Sequence, residues 1–395
     1  MSLKRISAYA PLALFALLLA TPSFGQGPLG MQLFAPADVS TFGGLQEPNE
    51  GYFFQFDILW WSISRPQTQT VGDAALNGTG RLAWKNNLES FTQYNNLTTG
   101  DMDSKFSLGT KYEFGRVEDG NGWLCNYFEL KTQVQDFEYA NPTILFAEQV
   151  TATGKILDGP VPDSLVDLPV PLVYYNVKLH NRTSVWGTEL MYLHRAMTCH
   201  EGSTFEILGG LRFIDFLDKF NVEIGEPSED QSAIGYPSVL QNSAWYTQAE
   251  NRVFGPQIGL RWFKKQGRWM LSSEGRFLAG FNAQTIRQQY QIGDTSVLNP
   301  TAGTDYIPSD LTAQGSNHSA FASEFSPTVE LRAEARYQMT RALSLHAGWT
   351  GLWIGNVARA NAVVDYYVPT MGIDMTKNTQ NLLMNGLTLG IDFNR

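Results

Sequence analysis

Residues 326–338 read SPTVELRAEARYQ, and apolar and charged side chains alternate through most of the stretch. An extended strand places alternate residues on opposite faces, whereas a helix would scatter these charges around its axis. The stretch is therefore predicted to be a strand with two unlike faces. One face carries Val329, Leu331, Ala333, Ala335 and Tyr337, and the other carries Glu330, Arg332, Glu334 and Arg336.

The same alternation recurs along the chain from Gly51 onward, in runs longer than the strands of most soluble domains. Soluble strands average about 5–6 residues, whereas outer-membrane strands need about 9–11 to cross a tilted path. After a turn at 339–342 the pattern resumes at Leu343, which predicts a hairpin. The predicted strands are 52–64, 104–116, 123–137, 173–180, 184–195, 204–216, 220–224, 252–263, 269–283, 326–338, 343–353 and 383–393.

The predicted connections alternate between short and long, which is typical of outer-membrane barrels with short periplasmic turns and long outer loops. Strict alternation also requires a short outer loop around 199–202. These patterns predict an all-β fold, an antiparallel transmembrane β-barrel of about 12 strands (10–14) with both termini in the periplasm. The short connections are 117–122, 181–183, 217–219, 264–267 and 339–342, and the long ones are 65–103, 138–170, 226–250, 284–324 and 355–381.

The first 25 residues have the organisation of a cleavable signal peptide. Lys4 and Arg5 precede an apolar run over 9–20, and small residues allow cleavage after Gly25. The apolar run is short for a bilayer span, so an N-terminal anchor is the less favoured alternative. The predicted organisation is a signal peptide (1–25), a flexible leader (26–50) and a barrel (51–395), located in the cell outer membrane.

Composition excludes several other classes of protein. Acidic residues (38) outnumber basic ones (28), which argues against nucleic-acid binding because phosphate contacts need clustered Lys and Arg. Cys125 and Cys199 are the only cysteines, so the chain is not a disulfide scaffold. They fall near opposite ends of predicted strands, which makes a bridge between them improbable.

A soluble β-sandwich would also alternate, so alternation alone does not establish a membrane protein. Export, strand length and an aromatic-rich apolar face favour a lipid-facing exterior, and closure removes exposed strand edges. Interfacial girdles of aromatic residues are expected near the strand ends of such a barrel. The tryptophans predicted there are Trp60, Trp61, Trp123, Trp186, Trp262, Trp269, Trp349 and Trp353.

In a barrel, energetics decides which face looks into the lumen. Arginine at the bilayer midplane costs about 2–4 kcal/mol on the lipid side, so the charged face must look inward. The inward charges have two readings: a pore wall that sets solute preference, or a structural salt-bridge network that plugs a narrow lumen. The predicted lumen-lining residues are Glu330, Arg332, Glu334, Arg336, Lys105, Lys111, Glu113, Glu206, Arg212, Glu274 and Arg276.

Three short segments are distinctive: FDILWW at 56–61, FEILGGLRF at 205–213 (followed by Asp218 and NVEI at 221–224), and GWTGLW at 348–353 (followed by Asn356, Val357 and Arg359). Together these segments resemble the putative β-barrel porin family of planctomycetes. The resemblance implies an outer-membrane barrel with a pore and without catalytic residues. The last strand alternates well up to Phe393, but Asn394 and Arg395 follow where the assembly machinery commonly reads a terminal aromatic residue.

The expected function is a porin-like channel for passive diffusion of small hydrophilic solutes, with no enzymatic activity, cofactor or metal. The expected partners are outer-membrane lipid, small hydrophilic solutes, the assembly machinery and further copies of the chain in a homo-oligomer. One alternative is a closed structural or surface-interaction barrel that acts through its extracellular loops. A second is a lipid hydrolase, which would use Ser344 and His346 on one strand face.

Overall fold

The structure, a computed structural model, describes residues 50–71, 81–84, 91–94, 98–140, 148–151, 154–156, 176–196, 203–224, 244–292, 314–340, 342–365 and 372–394. The predicted signal peptide and all of the predicted leader except Glu50 lie outside these residues. Glu50 forms an isolated bridge with Val117, and its carboxylate lies 3.0 Å from Arg195. Within the described residues, no helix combines the length and apolar character needed to cross a membrane.

Ten long antiparallel strands form a closed barrel. Each strand pairs with its neighbours in the sequence, and the first and last strands pair to close the sheet, from Phe53 opposite Asn394 to Ile63 opposite Met384. The strands are β1 (Gly51–Ile63), β2 (Phe106–Glu118), β3 (Asn121–Ala140), β4 (Asn176–Arg195), β5 (Ser203–Ile224), β6 (Ala244–Gln266), β7 (Trp269–Ile292), β8 (Gln314–Gln338), β9 (Leu343–Val357) and β10 (Gln380–Asn394).

One end of the barrel, the short-turn end, carries both ends of the sheet and the connections 119–120, 196–202, 267–268 and 339–342. Asp119 and Gly120 both have positive φ, at 50° and 75°, as two-residue hairpin turns require. The opposite, long-loop end carries the five long connections. Their described parts include short strand pairs (Arg81–Trp84 with Phe91–Tyr94, Glu148–Thr151 with Gly154–Ile156, Val364–Asp365 with Gly372–Ile373) and 3₁₀ turns at Thr99–Asp101 and Met375–Lys377.

Large apolar side chains cover the outward face of the barrel. Ile58, Leu190, Ile258 and Phe277 are all exposed, while the residues on either side of each along the strand point inward or pack more closely. Such a continuous exposed apolar band is expected where lipid replaces water. Its aromatic members include Trp60, Trp123, Trp186 and Trp269.

The prediction that Trp61 belongs to an aromatic girdle is wrong. Trp61 is only 3% exposed and donates a hydrogen bond from Nε1 to Thr388 Oγ1 at 3.3 Å. It follows Trp60 directly, and adjacent residues of a strand point to opposite faces. Only one of the two tryptophans can therefore face lipid.

The ten observed strands lie within the predicted range of 10–14, but the central value of about 12 is not confirmed, because two predicted turns do not exist. β4 runs without a break through 181–183, and β5 runs through 217–219. These two segments pair with each other, with Thr183 opposite Asp218. The polar residues of the segments 181–183 and 217–219 lie at the level where both strands extend beyond the apolar band. At that level the outward face no longer needs apolar side chains.

The prediction that the connection around 199–202 is an outer loop is also wrong. Without the two predicted turns, this connection falls at the opposite end of the barrel. The backbone N–H of Arg195 donates to the carbonyl oxygen of Gly120 at 2.6 Å, so β4 ends beside the β2–β3 turn. The β4–β5 connection therefore lies at the short-turn end. Several strands also continue further than predicted, since β6 begins at Ala244, β7 ends at Ile292 and β8 begins at Gln314.

Cysteine labelling distinguishes ten strands from twelve. In a background of Cys125→Ser and Cys199→Ser, we expect Lys219→Cys and Arg268→Cys to be labelled from opposite sides of the membrane by an impermeant maleimide. With ten strands, residue 219 lies towards the long-loop end and residue 268 in a turn at the short-turn end. Labelling of both from the same side would restore the twelve-strand topology, in which both residues lie at the same end of the barrel.

Candidate functional site in the barrel lumen

Charged side chains fill the middle of the lumen and form a single network. Each member lies within 4.0 Å of at least one oppositely charged member, and the contacts link all of them into one chain. The charge network consists of the carboxylates Asp57, Glu113, Glu189, Glu206, Glu274, Glu330, Glu334 and Asp392, the bases Lys111, Arg195, Arg212, Arg261, Arg276, Arg332 and Arg336, and His346.

The network starts near the short-turn end. Arg195 Nη2 lies 2.8 Å from Glu206 Oε1, and Arg261 bridges Glu206 at 3.3 Å and Glu274 at 2.9 Å. Glu274 in turn pairs with Arg276. These contacts join β4, β5, β6 and β7 across the inside of the wall.

The middle of the network is deeply buried. Arg276 pairs with Glu189, and Arg212 pairs with Glu330. The Arg212 guanidinium also lies 3.8 Å from Glu189, which connects the two pairs. Glu330 is 1% exposed and Arg212 3%. Because buried charges are strongly penalised unless they are paired, these residues depend on one another.

The remaining members extend the network to β2, β1, β9 and β10. Arg332 pairs with Glu330 and lies 3.7 Å from Glu113. Lys111 then joins Glu113 at 3.8 Å to Asp57 at 2.9 Å. β3 contributes a neutral donor, since Asn126 Nδ2 donates to Glu113 Oε2 at 3.3 Å. Every strand of the barrel thus supplies at least one polar group to this layer.

His346 occupies the far end of the network between two carboxylates. Its Nε2 lies 2.8 Å from Asp57 and its Nδ1 lies 2.9 Å from Asp392 Oδ2. Arg336 Nε forms an ion pair with the same Asp392 oxygen at 3.0 Å. A serine hydrolase needs a ring nitrogen aimed at the serine hydroxyl. Within the described residues no hydrogen bond joins Ser344 to His346, and the pair lies on the lumen side of β9 rather than on the outside. This geometry disfavours the hydrolase alternative.

Apolar side chains close the lumen on the long-loop side of the charge network. This apolar layer begins one inward position beyond the charges, for example at Leu59 after Asp57 and at Leu278 after Arg276. Its members are almost entirely buried and come from eight strands of the barrel. They are Leu59, Trp61, Ile63, Phe128, Leu130, Val185, Ile214, Phe216, Val253, Leu278, Leu352, Ile354, Val357, Leu382 and Met384.

A loop enters the lumen above the apolar layer. This inserted loop, residues 357–363, follows β9 directly and is buried along its whole length. Arg359 Nε donates to Asp218 Oδ2 at 2.9 Å, and the backbone N–H of Ala360 donates to the same oxygen at 3.0 Å. Asn251 both donates to and accepts from the backbone of Ala358, at 2.9 and 2.7 Å.

Hydrogen bonds also fix the turn at Asn356, which leads into this loop. Asn356 has a φ of 53°, and its carbonyl oxygen accepts hydrogen bonds from Asn282, Gln284 and Ser326 at 3.0–3.1 Å. Three polar residues on the neighbouring strands β7 and β8 thereby position the turn into this loop. The segment Asn356, Val357 and Arg359, which carried part of the family resemblance, belongs to this element.

The lumen retains a small polar cavity on the short-turn side of the network. Its volume is ≈ 30 Å³, which is room for about two water molecules. Lys111, Glu113, Glu206, Arg261 and Arg332 are among the residues that line it.

The structure places ten of the eleven predicted lumen-lining residues in the charge network. Lys105 is the exception, because it is exposed one residue before β2 begins and its backbone carbonyl accepts from Gln133. The pore role assigned to all eleven stays a prediction. The ten are Lys111, Glu113, Glu206, Arg212, Glu274, Arg276, Glu330, Arg332, Glu334 and Arg336.

Sequence reasoning missed Asp57, Glu189, Arg195, Arg261 and Asp392. Each of them stands between two residues of the outward face, as Asp57 does between Phe56 and Ile58. The alternation rule that found the ladder on β8 therefore applies to them too. They were overlooked because each is a lone charge in its segment rather than one of a series.

A family model described as "Putative beta barrel porin-7" matches residues 86–394. The chain belongs to this porin family. No curated protein matches it. The fold and the family together identify an outer-membrane β-barrel.

Solved structures similar to this porin-family barrel are distant. The outer membrane protease OmpT from Escherichia coli has a TM-score of 0.40 at 9% identity, covering 88% of this chain and 98% of that one. A Pseudomonas aeruginosa FadL homologue has a TM-score of 0.25 at 10% identity, with coverage of 87% and 90%. The CymD monoaromatic hydrocarbon channel has a TM-score of 0.30 at 7% identity, with coverage of 88% and 89%.

Two other predictions concern cysteines and metals. Cys125 is a free, exposed cysteine on the outward face, and Cys199 lies outside the described residues. Among the described residues, no group of three or more His, Cys, Asp and Glu side chains has the arrangement of a metal site.

Removal of one central carboxylate tests the charge network. Glu330→Gln leaves the buried Arg212 and Arg332 without their shared counter-charge while keeping the side-chain volume. We expect the free energy of unfolding to fall by about 3–5 kcal/mol. The measurement is urea unfolding of the refolded barrel in lipid, followed by tryptophan fluorescence.

The matched control is Glu118→Gln, which breaks an exposed pair with Arg116 at 2.7 Å. It should change the free energy of unfolding by about 0–1 kcal/mol. Equal effects of the two substitutions would mean that the network is hydrated and contributes no more than a surface pair.

Proposed function

We propose that this porin-family barrel is closed in the conformation described, and that it acts as a structural or surface-interaction protein through its long-loop end. The observation that carries the proposal is the stacking of three layers in one lumen. The charge network, the apolar layer and the inserted loop follow each other from the short-turn end towards the long-loop end. The small polar cavity, with a volume of ≈ 30 Å³, lies within the first of these layers.

The apolar layer is the strongest argument for closure. A hydrated ion that crosses an apolar constriction must lose water without gaining polar partners, and such constrictions gate by dewetting. Phe128, Phe216 and Trp61 belong to this layer with almost no exposure, and the ring centroids of Trp61 and Phe128 lie 6.1 Å apart. A channel through the described lumen would have to displace them together.

Porin-like diffusion of small hydrophilic solutes is the second candidate function. The charge network favours this second function. A packed apolar interior is often at least as stabilising as buried ion pairs, so stability alone gives no reason for charges in the lumen. Lumen charges of both signs around a polar cavity are also suited to an ion path. This candidate requires the inserted loop to leave the lumen and the charged residues to exchange partners.

The two candidate functions require the same export, membrane insertion and assembly. We propose that residues 1–25 direct export, that the assembly machinery inserts the chain into the outer membrane, and that the barrel is neither an enzyme nor dependent on a cofactor. Association into a homo-oligomer remains part of the proposal. The short-turn end would then face the periplasm, as in other outer-membrane barrels.

Single-channel recording in a planar bilayer separates the two functions. We expect wild-type protein, shown to be folded and inserted, to give no discrete conductance steps. A variant in which residues 357–363 are replaced by a Gly-Ser linker should remain silent, because the apolar layer still closes the lumen. A combined variant that also carries Trp61→Ser, Phe128→Ser and Phe216→Ser should begin to conduct.

Discrete steps from wild-type protein would instead establish the channel. In that case Arg332→Ala with Arg336→Ala should move ion selectivity towards cations, because two positive charges leave the lumen wall. Arg116→Ala, which removes an exposed positive charge outside the lumen, is the control and should leave selectivity unchanged.

A further inference from the structure

A row of basic side chains crosses the outer surface of the barrel near the long-loop end. Arg182 on β4 stands opposite Lys219 on β5, and Lys219 stands opposite Gln248 on β6. Gln248 in turn stands opposite Arg287 on β7. Arg182, Lys219 and Arg287, here the basic row, therefore share one line of strand pairing.

The basic row lies on the same face as the lipid-facing side chains. Arg182 has the same strand parity as Trp186, and Arg287 the same as Phe281, both of which are exposed on the outside. Trp186 lies four residues further along β4, about 13 Å at the rise of a strand. The basic row thus begins where the apolar band ends, which is the depth of lipid headgroups.

The charges nearer the bilayer are arranged differently. On the same outward face, Arg252 lies 2.5 Å from Glu250 and 3.7 Å from Asp215. These charges neutralise one another beside the apolar band. Charges that enter a region of low dielectric need such partners.

The basic row has no such partners. Within the described part of the chain, none of its three members forms an ion pair, and only Arg182 forms a hydrogen bond, from Nε to His180 Nε2 at 2.6 Å. Like charges directly opposite each other in a sheet are destabilising. An external anion would therefore reduce the repulsion between Arg182 and Lys219.

The surface around the basic row is concave. The cavity has a volume of ≈ 1070 Å³, and most of its lining residues belong to the outward face of β3 to β8. The cavity has three acidic members, and each has a partner: Asp136 pairs with His180, Glu138 lies 3.8 Å from Lys178, and Glu223 accepts a hydrogen bond from the Tyr246 hydroxyl. Polar donors such as Asn221 and Gln289 complete the lining.

We propose that this cavity binds the phosphate-bearing headgroup of an anionic lipid of the surrounding leaflet. The acyl chains would lie on the apolar band below, where Phe321 is 73% exposed two residues from Ser319 of the cavity. The basic row supplies charge-assisted hydrogen bonds to the phosphate oxygens. Lipid binding at this surface does not depend on whether the lumen conducts.

The test is lipid binding by the full chain, refolded in zwitterionic detergent and titrated with lipid A, a diphosphorylated glycolipid, under native mass spectrometry. We expect Arg182→Gln/Lys219→Gln/Arg287→Gln to weaken binding about a hundredfold, since each basic side chain at an anionic surface contributes about fivefold. Arg116→Gln/Lys264→Gln/Arg268→Gln removes the same charge at the short-turn end and should bind like wild type.

The charge-conserving variant Arg182→Lys/Lys219→Arg/Arg287→Lys should retain lipid A binding. This result would show that the cavity tolerates substitution at these three positions. Equal binding by wild type and the Gln variant would overturn the proposal, as would an equal loss in the short-turn control. Binding of phosphatidylcholine as tight as that of lipid A would also overturn it. Displacement of lipid A by an equal concentration of inorganic phosphate would assign the cavity to a free anion instead.

Discussion

The requirement that charged side chains stay out of lipid shapes the rest of this barrel. Glu330, Arg332, Glu334 and Arg336 lie on one face of β8, and that face has to look into the lumen because arginine on the lipid side is costly. Once inside, each charge needs a partner, and most of these partners lie on another strand. The charge network therefore ties the facing of one strand to the facing of its neighbours, and the pairing register follows from it.

The closed lumen follows from the same register. A shift by one residue would exchange the two faces of a strand, placing Asp57 in lipid and Ile58 among the charges. With the register fixed, apolar side chains occupy inward positions beyond the charges on eight strands, and these side chains meet as the apolar layer. The inserted loop then finds Asp218 and Asn251 at the first inward polar positions beyond that layer. Closure is thus assembled from several strands, and it favours a barrel that acts at its long-loop end over an open pore.

The outer face follows the change of medium along the barrel. Residues such as Ile258 and Phe277 contact lipid, the charges of Asp215, Glu250 and Arg252 neutralise one another at the edge of the band, and the basic row lies beyond them. One strand therefore meets three environments along its length. This gradient explains why alternation is clear in the middle of a strand and fades near the long-loop end.

The sequence alone determined the barrel class, the inward face of β8 and most of the charge network, because alternation with a period of two is a local property of each strand. It placed Lys105 in the lumen only because the end of β2 could not be located. Tertiary structure decided the strand number, since the polar segments at 181–183 and 217–219 resemble turns until they pair with each other. It also decided the inserted loop, because the contact of Arg359 with Asp218 joins residues far apart in the chain, and no local pattern encodes such a contact.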